Sequence, residues 1–274
     1  MLRKGDLTQG GITGTLLHFT LPMLVGSFLQ QCYNIADTLI VGQCIGAGAL
    51  AAVGSAYTLM VFLISVLLGL AMGSGTVFSL HYGAGNHVAL RRSIFSSFAL
   101  IGIVTLILNV AVFIWLDPIL RLLQVPQDIY GMMRSYLWII FCGIVFTFIY
   151  NFYASLLRAV GDSVTPLWFL AVSVVLNIAL DLFFILQLDW GIQGAAAATV
   201  LAQGVAALGI IIYTYRRRPE LRWHHEDMCF DRTCLKEIAS FSTLTCVQQS
   251  VMNLGILMVQ GLVNSFGTAV MAAF

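Results

Sequence analysis

The chain has 274 residues, of which 59% are hydrophobic and only 9% charged, with a net charge of +1. A soluble domain carries roughly 25% charged residues, so no soluble fold hides this much apolar surface and the bilayer must be the solvent. No basic block of the kind nucleic-acid binding needs is present. The six cysteines (Cys32, Cys44, Cys142, Cys229, Cys234 and Cys246) are scattered, and they read as small hydrophobic residues rather than a disulfide framework.

A membrane helix needs about 20 mostly apolar residues. Seven runs qualify, near 15–42, 50–81, 93–116, 130–157, 165–187, 192–214 and 236–263. The basic start, MLRKGDLTQGG, precedes a run too long and too polar for a cleaved signal peptide, so the first run is expected to stay as a span. That run contains LPMLVGSFLQQCYNIADTLIVG, with a proline, two glutamines, an asparagine and Asp37 in an otherwise apolar stretch. The connections between runs are mostly short and rich in Gly, Pro, Asp or Asn, as tight helix connections should be. No run shows the alternation of a membrane barrel, so the expected class is an all-α polytopic membrane protein.

Basic residues set the expected orientation. With the N-terminus on the cytoplasmic side, 11 of the 13 Lys and Arg fall inside and only Arg121 and Arg134 outside. Ten of the twelve acidic residues lie in loops or at helix ends, which leaves Asp37 in the first run and Asp181 in the fifth. No Lys or Arg lies deep in any run, so the interior is expected to hold two carboxylates without a fixed cation. An ionisable residue in a membrane span is costly and is by default a functional hypothesis.

Residues 46–53, GAGALAAV, and residues 267–274, GTAVMAAF, share Gly, Ala and Ala at a constant offset, each after a span. An even number of spans intervenes, which suggests a parallel six-span repeat whose second copy is only begun. The expected organisation is a six-helix lobe over residues 1–215, an inter-lobe linker on the cytoplasmic side over 216–235, and the first helix of a second lobe over 236–274.

Helical spacing places Gln30, Asn34 and Asp37 on one face of the first helix, and Asn177 and Asp181 on one face of the fifth. At about 1.5 Å per residue, Asp37, Asp181, Thr199 and Tyr136 reach similar depths, and a cavity within the six-helix unit could gather them. Interhelical glue is the plainer reading of a lone Asn or Thr. Pro22 reads either as a tolerated kink or as a hinge. His224, His225, Cys229 and Cys234 fit no zinc spacing, so no metal centre is expected. Neither a Walker A motif, a zinc-protease motif nor a GxSxG motif occurs, and Asp181 in LNIALDLFF lacks the GxGD setting of an intramembrane protease.

The stretches LP with NIADTLIVG, GAGALAAVG, LLRAVGDSVTPLWFLAVSVVLNIALDLFFI and WGIQGAAAATVLAQ resemble the multidrug and toxic compound extrusion (MATE) transporters, of the DinF/NorM-like kind. The resemblance implies the N-terminal six-helix lobe of a twelve-helix transporter plus the first helix of the second lobe, monomeric when full length, in the plasma membrane and in contact with its lipids. It implies an antiporter, not an enzyme, that exports organic cations in exchange for protons or sodium ions and uses no cofactor. By position, Asp37, Asp181, Asn177, Thr199 and Tyr136 match the family's N-lobe cation-coupling cluster, and Pro22 matches a first-helix proline about which that helix is proposed to bend. Gln30 and Asn34 extend the cluster on the Asp37 face, where a sodium ion could sit. The alternatives are a lipid-linked oligosaccharide flippase, which needs cations in its cavity for phosphate, or a non-transporting membrane protein.

Overall fold

The computed structural model describes residues 12–223, 227, 232–267 and 270–271. Arg3, Lys4, His224, His225, Cys229 and the greater part of the GTAVMAAF copy fall outside the described residues. Among the described residues eight α-helices follow one another: α1 (Ile12–Cys44), α2 (Ala47–Gly83), α3 (His87–Leu122), α4 (Gln127–Cys142), α5 (Ile144–Ala159), α6 (Val164–Leu182), α7 (Gly191–Arg217) and α8 (Arg232–Asn264). A π-helical turn over Phe183–Gln187 extends α6, and a short 3₁₀ turn covers Pro219–Leu221. No strand occurs among the described residues.

Five of these helices (α2, α3, α6 with its π turn, α7 and α8) are long and apolar enough to cross a membrane. The expected fourth span is not one straight helix. It breaks at Gly143 into α4 and α5, which meet at 50° and, taken together, are long and apolar enough for a sixth crossing. The break has a packing cause: a Cβ on Gly143 would stand 2.5 Å from a Val200 methyl of α7. α1 has 33 residues, ample length for a crossing at about 1.5 Å per residue, and its second half carries Gln30, Gln31, Asn34 and Asp37.

The connections are made by local chemistry. Asn86 caps α3 by accepting from the Ala89 amide at 3.1 Å, as a short polar side chain does at a helix start. Asp162 ties down the start of α6, accepting from the Thr165 amide at 3.0 Å and its hydroxyl at 2.8 Å. α1 runs unbroken through Pro22. Three residues before the proline, the Phe19 carbonyl accepts from the Ser163 hydroxyl at 2.9 Å, which ties α1 to the start of α6.

α1 packs on α6, α6 on α7, and α7 on the bent α4–α5 pair, with α2 closing the ring. Outward faces carry side chains such as Phe28, Trp115, Val175 and Leu244, all well exposed, as a bilayer solvent permits. α8 lies along α2. At one end the contact is made of small residues: Gly69 and Gly73 meet Cys246 and Ser242 so closely that a Cβ on Gly73 would sit 2.3 Å from the Ser242 Cα. At the other end it is a buried amide and hydroxyl network. Gln260 donates to Ser55 and to Asn264 at 2.9 Å, Thr58 donates to Gln260 at 3.2 Å, and Asn264 donates to the Leu123 carbonyl at 2.9 Å. Close approach of small residues and interhelical hydrogen bonds are the two means by which helices associate in lipid.

Gly73→Val should therefore destabilise the protein by about 1–3 kcal/mol through overpacking. Gly54→Ala on the same helix, where a Cβ meets nothing within 4 Å, should leave stability unchanged or raised. Thermal unfolding of the two variants in detergent checks the contrast.

Candidate functional site

Two joined chambers run through the bundle. The first, about 440 Å³, is lined by Asp37, Tyr33, Gln30 and Asn34 of α1, Tyr136 of α4 and Thr199 of α7. The second, about 660 Å³, is lined by Pro22 and Met23 of α1, Leu68 of α2, Tyr150 and Arg158 of α5, and Pro166 of α6. Gln30, Asn34, Tyr57, Ile64, Thr147 and Gln203 line both and form the neck between them.

The aspartate chamber is built from helical registers. Gln30, Tyr33, Asn34 and Asp37 recur at three- and four-residue spacing, so α1 turns all four to one side. Asp37 is 8% exposed and opens onto the chamber. Asp181 is fully buried and Asn177 nearly so, and neither lines the chamber. They form a layer behind it. Asp37 Oδ1 and Asp181 Oδ1 are each buried without a hydrogen-bond partner among the described residues, and two neighbouring carboxyls in such a setting do not both ionise cheaply. With its amide oriented to satisfy both neighbours, Asn177 donates to Asp181 at 2.8 Å and accepts from the Thr199 hydroxyl at 3.3 Å and the Thr199 amide at 3.2 Å. Thr199 in turn meets the Tyr33 hydroxyl at 3.4 Å. The π-helical turn starts two residues after Asp181, and such turns are frequent at functional sites.

All seven residues singled out from the sequence thus lie in or directly behind one chamber, while Pro22 lies in the other. Tyr33 was missed. Its position four residues before Asp37, on the same helix face, was the available signal. Asn34 and Gln30 face the neck rather than the carboxyl pair. Asn34 donates to Gln31 at 3.1 Å and to the Tyr57 hydroxyl at 3.2 Å, and Gln30 donates to Asn34 at 3.5 Å. Gln203 completes the belt from α7, with its buried Oε1 unpaired.

One expectation is corrected here. The cavity is not free of cations. Arg158, in the last turn of α5, was counted with the loop residues, but its side chain lines the second chamber. A helix end in the sequence does not reveal which way its last turn points.

Residues 22–183 match the model of the MatE family. Among curated relatives, the chain is 32% identical over 280 residues to "Probable multidrug resistance protein YpnP" of Bacillus subtilis (strain 168), an alignment covering 100% of this chain and 61% of the relative. It is 31% identical over 210 residues to "Multidrug export protein MepA" of Staphylococcus saprophyticus, covering 74% of this chain and 45% of the relative. The chain thus spans about three fifths, or less, of these relatives' length. Among solved structures, an outward-facing multidrug resistance MATE family transporter of the MOP superfamily superposes with a TM-score of 0.87 at 24% identity, over 93% of this chain and 57% of that one, a likeness of fold.

The buried amide is a testable element. Asn177→Leu removes the partner of both Asp181 and Thr199 and should cost about 1–3 kcal/mol of stability, whereas Thr199→Ser, which keeps the hydroxyl, should cost less. Unfolding of both variants in detergent gives the comparison. The arrangement of α1 to α8 and the family match over residues 22–183 lead to one conclusion: this chain belongs to the MatE family, the MATE transporters.

Proposed function

We propose that this chain forms the cation-handling part of a secondary antiporter that exports organic cations, drugs among them, in exchange for protons or sodium ions. The observation that carries this reading is Asp37, a carboxyl open to the chamber and backed by a second, buried carboxyl. Two adjacent carboxylates in a low-dielectric setting cannot both ionise cheaply. A proton, a sodium ion or a cationic group on a cargo molecule each relieves the repulsion, so each excludes the others. Competition for one charge site is the simplest form of antiport.

The surrounding groups support such a cycle. Asp37 faces the chamber, so it is the group a cargo cation meets. Asp181, held by Asn177, supplies a second negative charge that makes single occupancy by a cation favourable. Tyr136 and Tyr33 offer aromatic faces, which attract organic cations. The amide belt at the neck offers neutral hydrogen-bonding groups for passage. MepA is named for multidrug export and YpnP for multidrug resistance, and that supports the cargo class without specifying it.

The orientation follows the same reading. The ends that carry Arg91, Arg92, Arg158 and Arg216 to Arg218 are placed on the cytoplasmic side of the plasma membrane, and the aspartate chamber lies toward the outside. Residues 1–215 would form one lobe, 216–235 a cytoplasmic linker, and 236–274 the start of a second lobe, in a transporter that works as a monomer.

In the full-length protein, Asp37→Asn and Asp181→Asn should each abolish cation-coupled dye efflux while expression persists. Normal efflux by both variants overturns the proposal. Transport into vesicles under an imposed proton or sodium gradient identifies the coupling ion.

A further inference from the structure

The second chamber has a polarity opposite to the first. Among the described residues its one charged lining group is Arg158, which shares the walls with Pro22 of α1, Leu68 of α2, Pro166 of α6 and Gln203 of α7. An arginine in the last turn of a membrane helix ordinarily extends to the lipid headgroups. Arg158 instead faces a space that five helices enclose. The other arginines seen in ion pairs have carboxylates at hand: Arg91 with Asp227 at 2.7 Å, Arg134 with Asp117 at 2.8 Å and Arg218 with Asp162 at 3.4 Å. Arg158 has no such partner among the described residues. Nor do its hydroxyl neighbours turn toward it. Tyr150 donates to the Pro166 carbonyl at 3.1 Å and Ser163 to the Phe19 carbonyl at 2.9 Å.

Arg158 is half-buried, so its guanidinium is only partly solvated and lacks an anionic partner among the described residues. It presents several N–H donors in a planar fork that matches carboxylate and phosphate. Met23, Leu68, Leu167 and Leu170 give the chamber an apolar side, and Ser27, Gln31 and Asn151 add neutral polar groups. A volume of about 660 Å³ suits a small organic molecule rather than a bare ion.

We propose that Arg158 and the chamber around it form an oxyanion-binding subsite, which takes the carboxylate or phosphate of a molecule with an apolar body. This goes beyond the cation exchange proposed for Asp37. It gives the pathway a negative-charge acceptor at one end and a positive-charge acceptor at the other, separated by the neutral amide belt.

The test is equilibrium dialysis of 1-naphthyl phosphate and 1-naphthoate against the full-length protein in nanodiscs of phosphatidylcholine, with empty discs subtracted and 1-naphthylmethylamine as the cationic counterpart. Both anions should bind saturably. Arg158→Gln should weaken them roughly tenfold or more, and Arg158→Lys, which restores the charge, should recover much of the loss. Binding of the amine should not fall with Arg158→Gln. Leu68→Trp, which narrows the same chamber and keeps the charge, should also weaken the anions. If discs containing phosphatidic acid compete with 1-naphthyl phosphate, a lipid headgroup is the occupant; if they do not, a soluble anion is. Anion affinity unchanged in either Arg158→Gln or Leu68→Trp overturns the proposal, as does an equal loss of the amine.

Discussion

The contact between Asp37 and Asp181 is the constraint on which the rest of the bundle depends. Both carboxyls leave a buried Oδ1 without a hydrogen-bond partner, and two carboxylates held near each other inside a membrane bundle repel strongly. Holding them there demands rigid surroundings. α1 and α6 pack directly on each other. Asn177 fixes Asp181 from the same helix face and ties it to Thr199 of α7. The bend at Gly143 lets α4 and α5 line both chambers, with Tyr136 on the aspartate side and Arg158 on the other. Each feature would be an oddity alone. Together they are what a costly pair of charges requires of its neighbours.

The helical class was legible because the apolar runs are long and the connections carry turn residues. Two features of the fold were not. The break at Gly143 depends on Val200, a residue 57 positions away in sequence, and a run of apolar residues reads the same whether straight or bent. α1 shows the converse difficulty. Its hydropathy is lowered by the same polar residues that line its cavity, so a measure of apolarity is weakest where the helix is most specialised. Position in the bundle decides which faces meet lipid and which meet the cavity, and periodicity on one helix cannot supply that.

The site was legible to the extent that it uses residues out of place in a membrane. Asp37, Asp181, Asn177 and Gln30 stand out because each is expensive in lipid. Tyr33 does not, because a tyrosine is ordinary in a span, and its hydroxyl matters only once α7 brings Thr199 to it. Arg158 was invisible for another reason. At a helix end an arginine is cheap, since it can reach water or headgroups, and only the enclosure by α1, α2, α6 and α7 makes it unusual. The layering of Asp37 in front of Asp181 was likewise beyond one-dimensional spacing, which reports shared faces but not which of two facing carboxyls is the open one.

α2 joins the cavity to the rest of the bundle. Through Tyr57 it forms one side of the amide belt at the neck. Through Ser55, Thr58, Gly69 and Gly73 it forms the contact with α8. Ser55, Tyr57 and Thr58 fall within four consecutive residues of an unbroken helix, so the two contacts share one rigid segment. The glycine end of the α2–α8 contact leaves no room for approach, and the amide network at the other end leaves no polar group to spare. α8 therefore cannot shift along α2 without losing hydrogen bonds to Ser55 and Thr58, nor press closer without meeting backbone at Gly73. Any movement of α8 across the bundle must carry that segment of α2 with it, and with it the Tyr57 hydroxyl that accepts from Asn34, one turn from Asp37.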